Sequence, residues 1–184
     1  MYSFGGEEVK RIIQALSLIL GFIVTPMSVA QTSTEARGQA QETQGRGYWI
    51  DASTKLMWAG KDNGKDVNWH KAMNYCRDLR LGGYSDWRLA TIEELQGIYD
   101  KNANAPGLAG KHGEEPFDFH VKGNLFLTGD PWSSSRRIDN EGHPSPLVWY
   151  FDFWNGYKGS GDGSWSGRNE DYNRRALCVR RSGQ

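Results

Sequence analysis

The sequence predicts an α+β fold, in which two helices pack on antiparallel strands joined by long loops. Three observations lead to this fold class: a hairpin pattern where the folded region begins, two segments with helical caps and spacing, and aromatic-rich strands that end at a cysteine. The 184 residues include 23 Gly, 8 Trp, 8 Tyr and 7 Phe. Such a composition favours a loop-rich domain with a core of large, flat side chains.

The first predicted element is a β-hairpin in "YWIDASTKLMWAG", where two aromatic-bearing strands flank a polar turn at Ala52 to Lys55. The loop "GKDNGKD" follows and carries several side-chain oxygens. It lacks the ligand spacing of an EF-hand and its terminal Glu, so it does not indicate that kind of calcium site.

The segment "NWHKAMNYCRDLRL" predicts the first helix, with Asn68 as its N-cap. Its apolar side chains recur at helical spacing and form one face: Trp69, Ala72, Met73, Cys76 and Leu79. Gly82 and Gly83 end the helix. Cys76 is therefore expected on its buried face.

A second helix is predicted to begin at Thr91 and to end near Asp100. Thr91 and Glu94 form the capping-box pattern, in which each side chain bonds an N–H at the helix N-terminus. The apolar side chains are spaced for one face: Ile92, Leu95 and Ile98–Tyr99.

The rest of the chain predicts a long irregular stretch at 101–130, and then strands in "PWSSSRRI", "LVWYFDFWNGYKG" and "RRALCVRR". The core face of the middle strand is left open by the sequence. Val148, Tyr150 and Phe153 compete for it with Trp149 and Phe151. A glycine-rich loop, "GSGDGSWSGRNEDYN", precedes the last strand and carries Trp165 and Arg168.

Residues 1–30 predict a secretory signal peptide, since Lys10 and Arg11 precede the apolar run "IIQALSLILGFIV" and Ser28-Val29-Ala30 resembles a cleavage site. A membrane anchor is the alternative, but the run is shorter than the roughly 20 residues that span a bilayer. The acidic residues in "MYSFGGEE" fit a signal poorly, which leaves Met1 and Val9 as alternative translation starts.

Residues 31–47 are polar and predict a disordered linker, and the folded domain is expected at 48–181. The chain is therefore expected to be exported, either periplasmic or secreted, with no membrane span after cleavage. Its charges balance, with 22 basic and 22 acidic residues, which disfavours nucleic acid as a partner.

Two cysteines, Cys76 and Cys178, remain in the predicted folded region. An even number of cysteines in an exported chain favours a disulfide over a metal site. Two free thiols are the alternative if the protein stays in a reducing compartment.

Four segments together resemble the Lcl C-terminal domain family, which is named after a collagen-like bacterial adhesin. They are "DASTKLMW", "NWHKAMNYCRDLRLGGYSDWRLATIEELQGIYD", "PWSSS" and "RRALCVRR". The central run is the most specific of them. Ala90 stands where the family usually has Pro, which softens the start of the second helix.

The resemblance implies a fold similar to C-type lectins and to the formylglycine-generating enzyme domain. In lectin-like folds a disulfide joins the first helix to the last strand, where Cys76 and Cys178 fall. The resemblance also implies a scaffold role for Asp86, Trp87 and Arg88. Trp87 would fill the core, and Arg88 would bond the loops through its several donors.

No catalytic residue, metal or cofactor is predicted. The related enzymes use reactive or copper-binding cysteines, and both cysteines here are explained by the implied disulfide. The histidines show no metal-binding spacing: His70, His112, His120 and His143. Sugar-binding C-type lectins use Glu-Pro-Asn or Gln-Pro-Asp together with Trp-Asn-Asp. This chain has Glu115-Pro116-Phe117 and Trp154-Asn155-Gly156, each without the third ligand.

The remaining functional candidates are basic and aromatic residues of the C-terminal half: Trp132, Arg136, Arg137, Trp154, Tyr157, Trp165, Arg168 and Arg174. Arginines suit sulfate and carboxylate groups, and aromatic faces suit sugar rings. The family's adhesin member binds sulfated glycosaminoglycans, so the resemblance implies an anionic glycan.

Two other interpretations stay open. In the first, these residues are core aromatics and paired surface charges, with Asp139, Glu141, Asp152, Glu170 and Asp171 as neutralising partners. The protein would then be an envelope structural or protein-interaction module. In the second, it is an enzyme related to formylglycine generation, which would need a reactive thiol.

Overall fold

The computed structural model describes residues 38, 43, 45–109, 114–164 and 173–183. Contacts divide the chain into two units, Met1–Ser33 and Thr34–Gln184, and every described residue belongs to the second unit. The predicted signal peptide and most of the predicted linker lie outside the described residues. Among the residues described, no helix has the length and apolar character needed to cross a membrane.

The described chain is a mixed α+β domain made mostly of strands, as predicted. In chain order its elements are β1 (Tyr48–Asp51), β2 (Leu56–Ala59), α1 (Trp69–Asp78), β3 (Arg88–Leu89), α2 (Ile92–Gly97), β4 (Ala105–Ala109), β5 (Glu115–Phe119), a 3-10 helix (Lys122–Asn124), β6 (Asp130–Ile138), β7 (Pro144–Asp152), β8 (Tyr157–Asp162), β9 (Arg174–Arg175) and β10 (Cys178–Arg181).

These strands form two four-stranded sheets and one two-stranded ribbon. The first sheet has the order β1-β2-β10-β3, so the C-terminal strand lies inside it, antiparallel to both neighbours. The ribbon is β4-β5. The other four-stranded sheet, called the third sheet below, has the order β8-β7-β6-β9, in which β9 runs parallel to β6.

Both predicted helix starts are confirmed. The Asn68 side chain accepts a hydrogen bond from the Lys71 N–H at 2.8 Å. Thr91 Oγ1 accepts from the Glu94 N–H at 3.2 Å, and Glu94 Oε2 accepts from the Thr91 N–H at 2.8 Å. The second helix is shorter than predicted, because α2 ends at Gly97 rather than near Asp100.

The core consists of two clusters that meet the same strands from opposite faces. The α2-side cluster includes Ile92 and Leu95. The disulfide-side cluster includes Trp69, Trp87 and Cys76. In β10, Val179 belongs to the first cluster and Cys178 to the second. Successive residues of a strand point to opposite faces, so this strand is covered on both sides.

The same arrangement answers the open question about β7. Trp149, Phe151 and Phe153 pack in or against the α2-side cluster. Val148 and Tyr150 pack in or against the disulfide-side cluster. Both faces of this part of β7 are therefore covered by a core cluster, which is why apolar residues follow one another without interruption from Leu147 to Phe151.

The predicted disulfide is present between Cys76 and Cys178, with a Cα–Cα distance of 5.3 Å. It joins the buried face of α1 to the interior strand β10 across 102 residues of chain. Closing a loop of this length stabilises the fold by about 4–5 kcal/mol in the loop-entropy model.

The prediction of an irregular stretch at 101–130 is wrong, because β4, β5 and the 3-10 helix lie within it. Pro106 and Pro116 indicate strand breaks in the sequence. A two-stranded ribbon, however, has two free edges, and at an edge the N–H that proline lacks is not needed.

Candidate functional site

Asp86, Trp87 and Arg88 are each held by contacts inside the domain. Trp87 is buried in the disulfide-side cluster. Arg88 forms a two-pronged ion pair with Glu94, at 2.6 and 2.7 Å, and Glu94 also caps α2. Asp86 accepts from Arg180 Nε at 2.7 Å. The polar groups of Asp86 and Arg88 are thus bonded to other side chains of the domain, as expected of residues that support the fold.

The ion pairs lower the pKa values of both carboxyl groups. The hydrogen bond from Arg180 lowers the pKa of Asp86. Burial alone would raise the pKa of Glu94, but hydrogen bonds from Arg88 and Thr91 outweigh it, so the pKa of Glu94 is also lowered. Both carboxyl groups therefore favour the ionised state in the folded domain.

Arg174 is buried beside β6. Because β9 runs parallel to β6, Arg174 pairs with Asp130, and its guanidinium donates to Asp130 Oδ2 at 2.8 Å. The guanidinium also lies 3.5 Å from the centre of the Tyr150 ring. Only 8% of Arg174 is exposed. It therefore does not reach the ligand-binding surface on which the sequence prediction placed it.

Burial also acts on the partner of Arg174. It raises the pKa of Asp130 to about 7, against the opposing effect of the Arg174 charge, and the nearby Asp152 adds to the rise. The result is an aspartate that titrates near neutral pH inside the third sheet.

Arg175 is the centre of a buried polar network and is 1% exposed. It forms an ion pair with Asp66 and donates to Thr128 Oγ1 at 2.6 Å and to Asn173 Oδ1 at 3.3 Å. Asp62 accepts both the N–H and the hydroxyl of Thr128, at 2.6 and 2.9 Å. The aspartates of "GKDNGKD" are thus used to hold buried backbone and an arginine.

Trp132 is 0% exposed and belongs to the disulfide-side cluster. Its indole N–H donates to the Val67 carbonyl at 2.9 Å. The sequence prediction of Trp132 as a ligand-binding residue is corrected for the same reason as that of Arg174, since both faces of this part of β6 are covered.

Arg136 and Arg137 lie near the tip of the β6–β7 hairpin, and both are exposed. The Arg136 guanidinium covers the Trp69 ring, 4.8 Å from its centre. Arg137 lines a shallow cleft together with Leu147 and Asp139. Within the described ranges, neither arginine forms an ion pair.

The hairpin tip also brings together Asp139, Glu141 and His143, whose potential metal-ligand atoms lie within 4.8 Å of one another. All three residues are exposed. Asp139 Oδ1 already accepts hydrogen bonds from the backbone N–H groups of Glu141 and His143, at 2.9 and 2.8 Å. Asp139 also lines the cleft beside Arg137 and offsets part of its positive charge.

Trp154 lies on the turn between β7 and β8, Tyr157 is the first residue of β8, and each is 59% exposed. The turn is held from within. Asp152 Oδ1 accepts from the Trp154 N–H at 2.7 Å, and Asn155 Oδ1 accepts from the Tyr157 N–H at 2.8 Å. Gly156 supplies a φ of +77°, which other residues rarely adopt. The two rings therefore project from a fixed backbone.

The segments Glu115–Phe117 and Trp154–Gly156 meet in space. The Phe117 ring contacts the Trp154 ring edge-on, with 6.4 Å between ring centres. An aromatic contact thus occupies the place where the two short motifs converge. The side-chain oxygen of Asn155 accepts a hydrogen bond within the turn itself.

Four residues lie on one side of the third sheet and are named here the exposed track: the exposed Arg137, Lys158 and Trp154, and the half-buried Trp149. The Lys158 ammonium lies 4.7 Å from the centre of the Trp149 ring. Trp149 and Leu147 share a face of β7, because they are two residues apart. Trp154 is on the same side, since its contact Phe117 packs against the α2-side cluster.

The other two exposed candidates lie apart from the track. Arg136 covers Trp69 of the disulfide-side cluster, and Tyr157 pairs with Asp152 on the opposite face of β7. Trp165 and Arg168 lie outside the described residues, as does His112. Sequence reasoning missed Trp149 because its pairing with Lys158 depends on the register of β7 and β8.

A separate apolar cleft of about 520 Å³ opens elsewhere on the domain. Tyr75 of α1 and Phe126 line it and are 36% and 40% exposed. Leu79 and Leu81 form further parts of its wall.

Comparison with known proteins identifies the family. A search of the curated proteins finds no match. A family model described as the Lcl C-terminal domain matches residues 47–180, which include all the elements from β1 to β9 and β10 apart from its last residue. The chain therefore belongs to the Lcl C-terminal domain family.

Proposed function

We propose that this chain is an exported, non-catalytic binding module with a C-type-lectin-like fold, which recognises an extended anionic glycan in an adhesin-like role. Family membership supports an adhesin-related domain. The disulfide between α1 and β10 is where a lectin-like fold would have it. Both cysteines are used in that bond, which supports binding rather than thiol chemistry.

The exposed and rigidly held Trp154 is the observation that carries the proposal. Large aromatic side chains present an apolar face at little cost in conformational entropy, and here the supporting turn is fixed by Asp152, Asn155 and Gly156. The apolar face of a sugar ring fits such a surface. A fixed aromatic side chain on a turn is typical of a recognition site rather than of a core.

The anionic character of the ligand is inferred from the cations of the exposed track. Arg137 and Lys158 lie on the same side of the sheet as Trp154, and sulfate or carboxylate groups are natural partners for both. From Leu147, beside Arg137, to the end of β7 at Asp152 is five residues, or about 17 Å of strand, and Trp154 lies beyond that end on the turn. A single sugar cannot contact both ends, so the ligand is a polymer.

A glycan array with the oxidised domain tests the proposal. It should include sulfated glycosaminoglycans and be repeated with chelator and at high salt. We expect selective binding that chelator does not abolish, that salt weakens, and that Trp154→Ala reduces. Tyr75→Ala is the matched control, because Tyr75 is an exposed aromatic on α1, far along the chain from the track.

The same array separates the alternatives. Binding that only follows the charge density of the glycans, or no binding at all, would contradict the proposal and favour an envelope interaction module. The apolar cleft beside Phe126 is the feature that supports this alternative. Alkylation of Cys76 or Cys178 in the native protein would instead revive an enzyme related to formylglycine generation.

A further inference from the structure

A second cleft, of about 450 Å³, lies between the loop after α2 and the 3-10 helix. Its lining includes one indole ring and several side chains that carry hydrogen-bond donors or acceptors: Trp49, Asp100, Asn102, Asn104, Lys122 and Asn124. None of these residues belongs to the exposed track, and they come from three separate parts of the chain.

The backbone on one side of the cleft is shaped to receive Trp49. A Cβ atom added to Gly123 would lie 2.1 Å from the Trp49 ring, so only glycine allows the indole to lie against this backbone. Gly123 and Asn124 have φ values of +73° and +52°. Two successive left-handed residues, one of them not glycine, are uncommon, and Asn tolerates this conformation better than most residues.

The loop on the other side is fixed by its own hydrogen bonds. The His120 carbonyl accepts a hydrogen bond from the Asp100 N–H at 3.0 Å. The ring Nδ1 of His120 lies 2.7 Å from the Ala103 carbonyl oxygen. Asp100 Oδ1 accepts from the Asn102 N–H at 3.0 Å. The cleft wall is thus held in place without the use of the amide side chains.

Several polar groups of the cleft therefore remain available. In the described part of the chain, the side-chain amides of Asn102, Asn104 and Asn124 form no hydrogen bond, and Asp100 keeps Oδ2 without one. Lys122 donates one N–H to the Gly97 carbonyl at 2.9 Å and has two more. Each amide offers both donors and an acceptor on one rigid plane.

We propose that this cleft binds one ring of a neutral hexose. The hydroxyl groups of a sugar donate and accept, and paired amide and carboxylate groups match both functions. The apolar face of the ring would contact Trp49. The one acidic and one basic side chain, Asp100 and Lys122, cancel each other's charge, so neither an anion nor a cation is preferred. This site differs in chemistry from the track and does not depend on it.

Titration with neutral monosaccharides, followed by NMR, tests the proposal on the whole oxidised domain. The probes are the methyl glycosides of glucose, galactose and mannose, at up to about 50 mM, because a single ring with few atoms binds weakly. We expect saturable shifts of the Trp49 indole N–H and of the Asn102 and Asn104 side-chain amides with at least one sugar. Trp49→Phe assigns the indole signal among the 8 tryptophans.

The double variant Asn102→Ala/Asn104→Ala should weaken that affinity about tenfold or more, since it removes the hydrogen bonds of both side-chain amides. Asn74→Ala is the matched control, an exposed asparagine on α1 that should leave the affinity unchanged.

Absence of saturable shifts for all three sugars would overturn the proposal, as would shifts that the double variant leaves unchanged. Trp154→Ala separates this site from the track. The variant should retain the neutral-sugar shifts even where it loses binding to sulfated polymers. Loss of both in Trp154→Ala would assign the neutral sugar to the track and would also overturn the proposal.

Discussion

Two of the three Arg-Arg dipeptides of the chain, Arg174–Arg175 and Arg136–Arg137, have opposite places in the fold. Arg174–Arg175 is buried in β9, where its guanidinium groups meet Asp130, Asp66 and Thr128. Arg136–Arg137 is exposed near a hairpin tip, and in the described residues it has no acidic partner in an ion pair. The first dipeptide holds elements together, and the second is available to a ligand.

Topology explains the difference. The parallel pairing of β9 with β6 places Arg174 directly opposite Asp130, 44 residues away in the sequence. The polar loop after β2 then supplies Asp66 to Arg175. Among the described segments, none covers the hairpin tip in a comparable way. A charge becomes structural when distant segments cover it with a partner, and it remains available for binding when they do not.

Arg175→Ala is expected to produce the largest effect, a loss of about 3–5 kcal/mol in the free energy of unfolding. The substitution leaves Asp66 without its ion-pair partner and removes the donors to Thr128 and Asn173. Urea unfolding with the disulfide intact measures this loss.

Arg137→Ala is the matched control, and it should change the free energy of unfolding by about 0.5 kcal/mol or less, as exposed substitutions usually do. Equal losses for the two variants would show that the burial of Arg175 does not decide its role.

Asp130 is expected to give the domain an unusual dependence on pH. Burial raises its pKa from the ordinary value of 3.8 to about 7. Protonation therefore favours the folded state, and the contribution of Asp130 to stability is full below about pH 4 and is lost as pH rises through about 7.

Thermal unfolding of the wild type and of Asp130→Asn between about pH 4 and pH 8 checks this prediction, because Asn cannot ionise. The melting temperature of the wild type should fall relative to that of the variant as pH rises. A constant difference would contradict the raised pKa. Asp86 and Glu94, with lowered pKa values, act in the opposite sense and lose their contribution below about pH 4.

Arg88→Ala should have a much smaller effect than Arg175→Ala, a loss of about 1 kcal/mol or less in the free energy of unfolding. Arg88 and Arg175 each form an ion pair with a carboxylate, Glu94 and Asp66 respectively. The Arg88 side chain, however, is 44% exposed. Water can replace the lost partner, and Glu94 still caps α2. Urea unfolding beside Arg175→Ala measures the contrast, and a loss as large as that of Arg175→Ala would contradict it.

Local features of this fold could be predicted from the sequence. The N-caps Asn68 and Thr91 act on N–H groups three residues away, so their patterns are visible in a short window. The first hairpin has a turn of four residues between its strands. The disulfide was predictable because only two cysteines exist in the chain.

The candidate site was predicted less well, because exposure depends on contacts between distant segments. Trp132 and Trp154 are both tryptophans beside a proposed strand, yet one is fully buried by Val67 and its neighbours while the other projects from a turn. The oxygens of Asp62 and Asp66 resembled potential ligands for a cation, but residues more than 60 positions away engage them. A pattern within a short stretch of sequence does not predict which distant residues will form these contacts.

The most direct test of this account is the affinity of a heparin-derived oligosaccharide for three proteins: the wild type, Trp154→Ala and Tyr75→Ala. Trp154→Ala is expected to bind about tenfold or more weakly, as for the loss of a central aromatic contact, while Tyr75→Ala should bind as the wild type does. All three should have similar melting temperatures. Equal affinities for Trp154→Ala and the wild type would contradict a binding role for the exposed track.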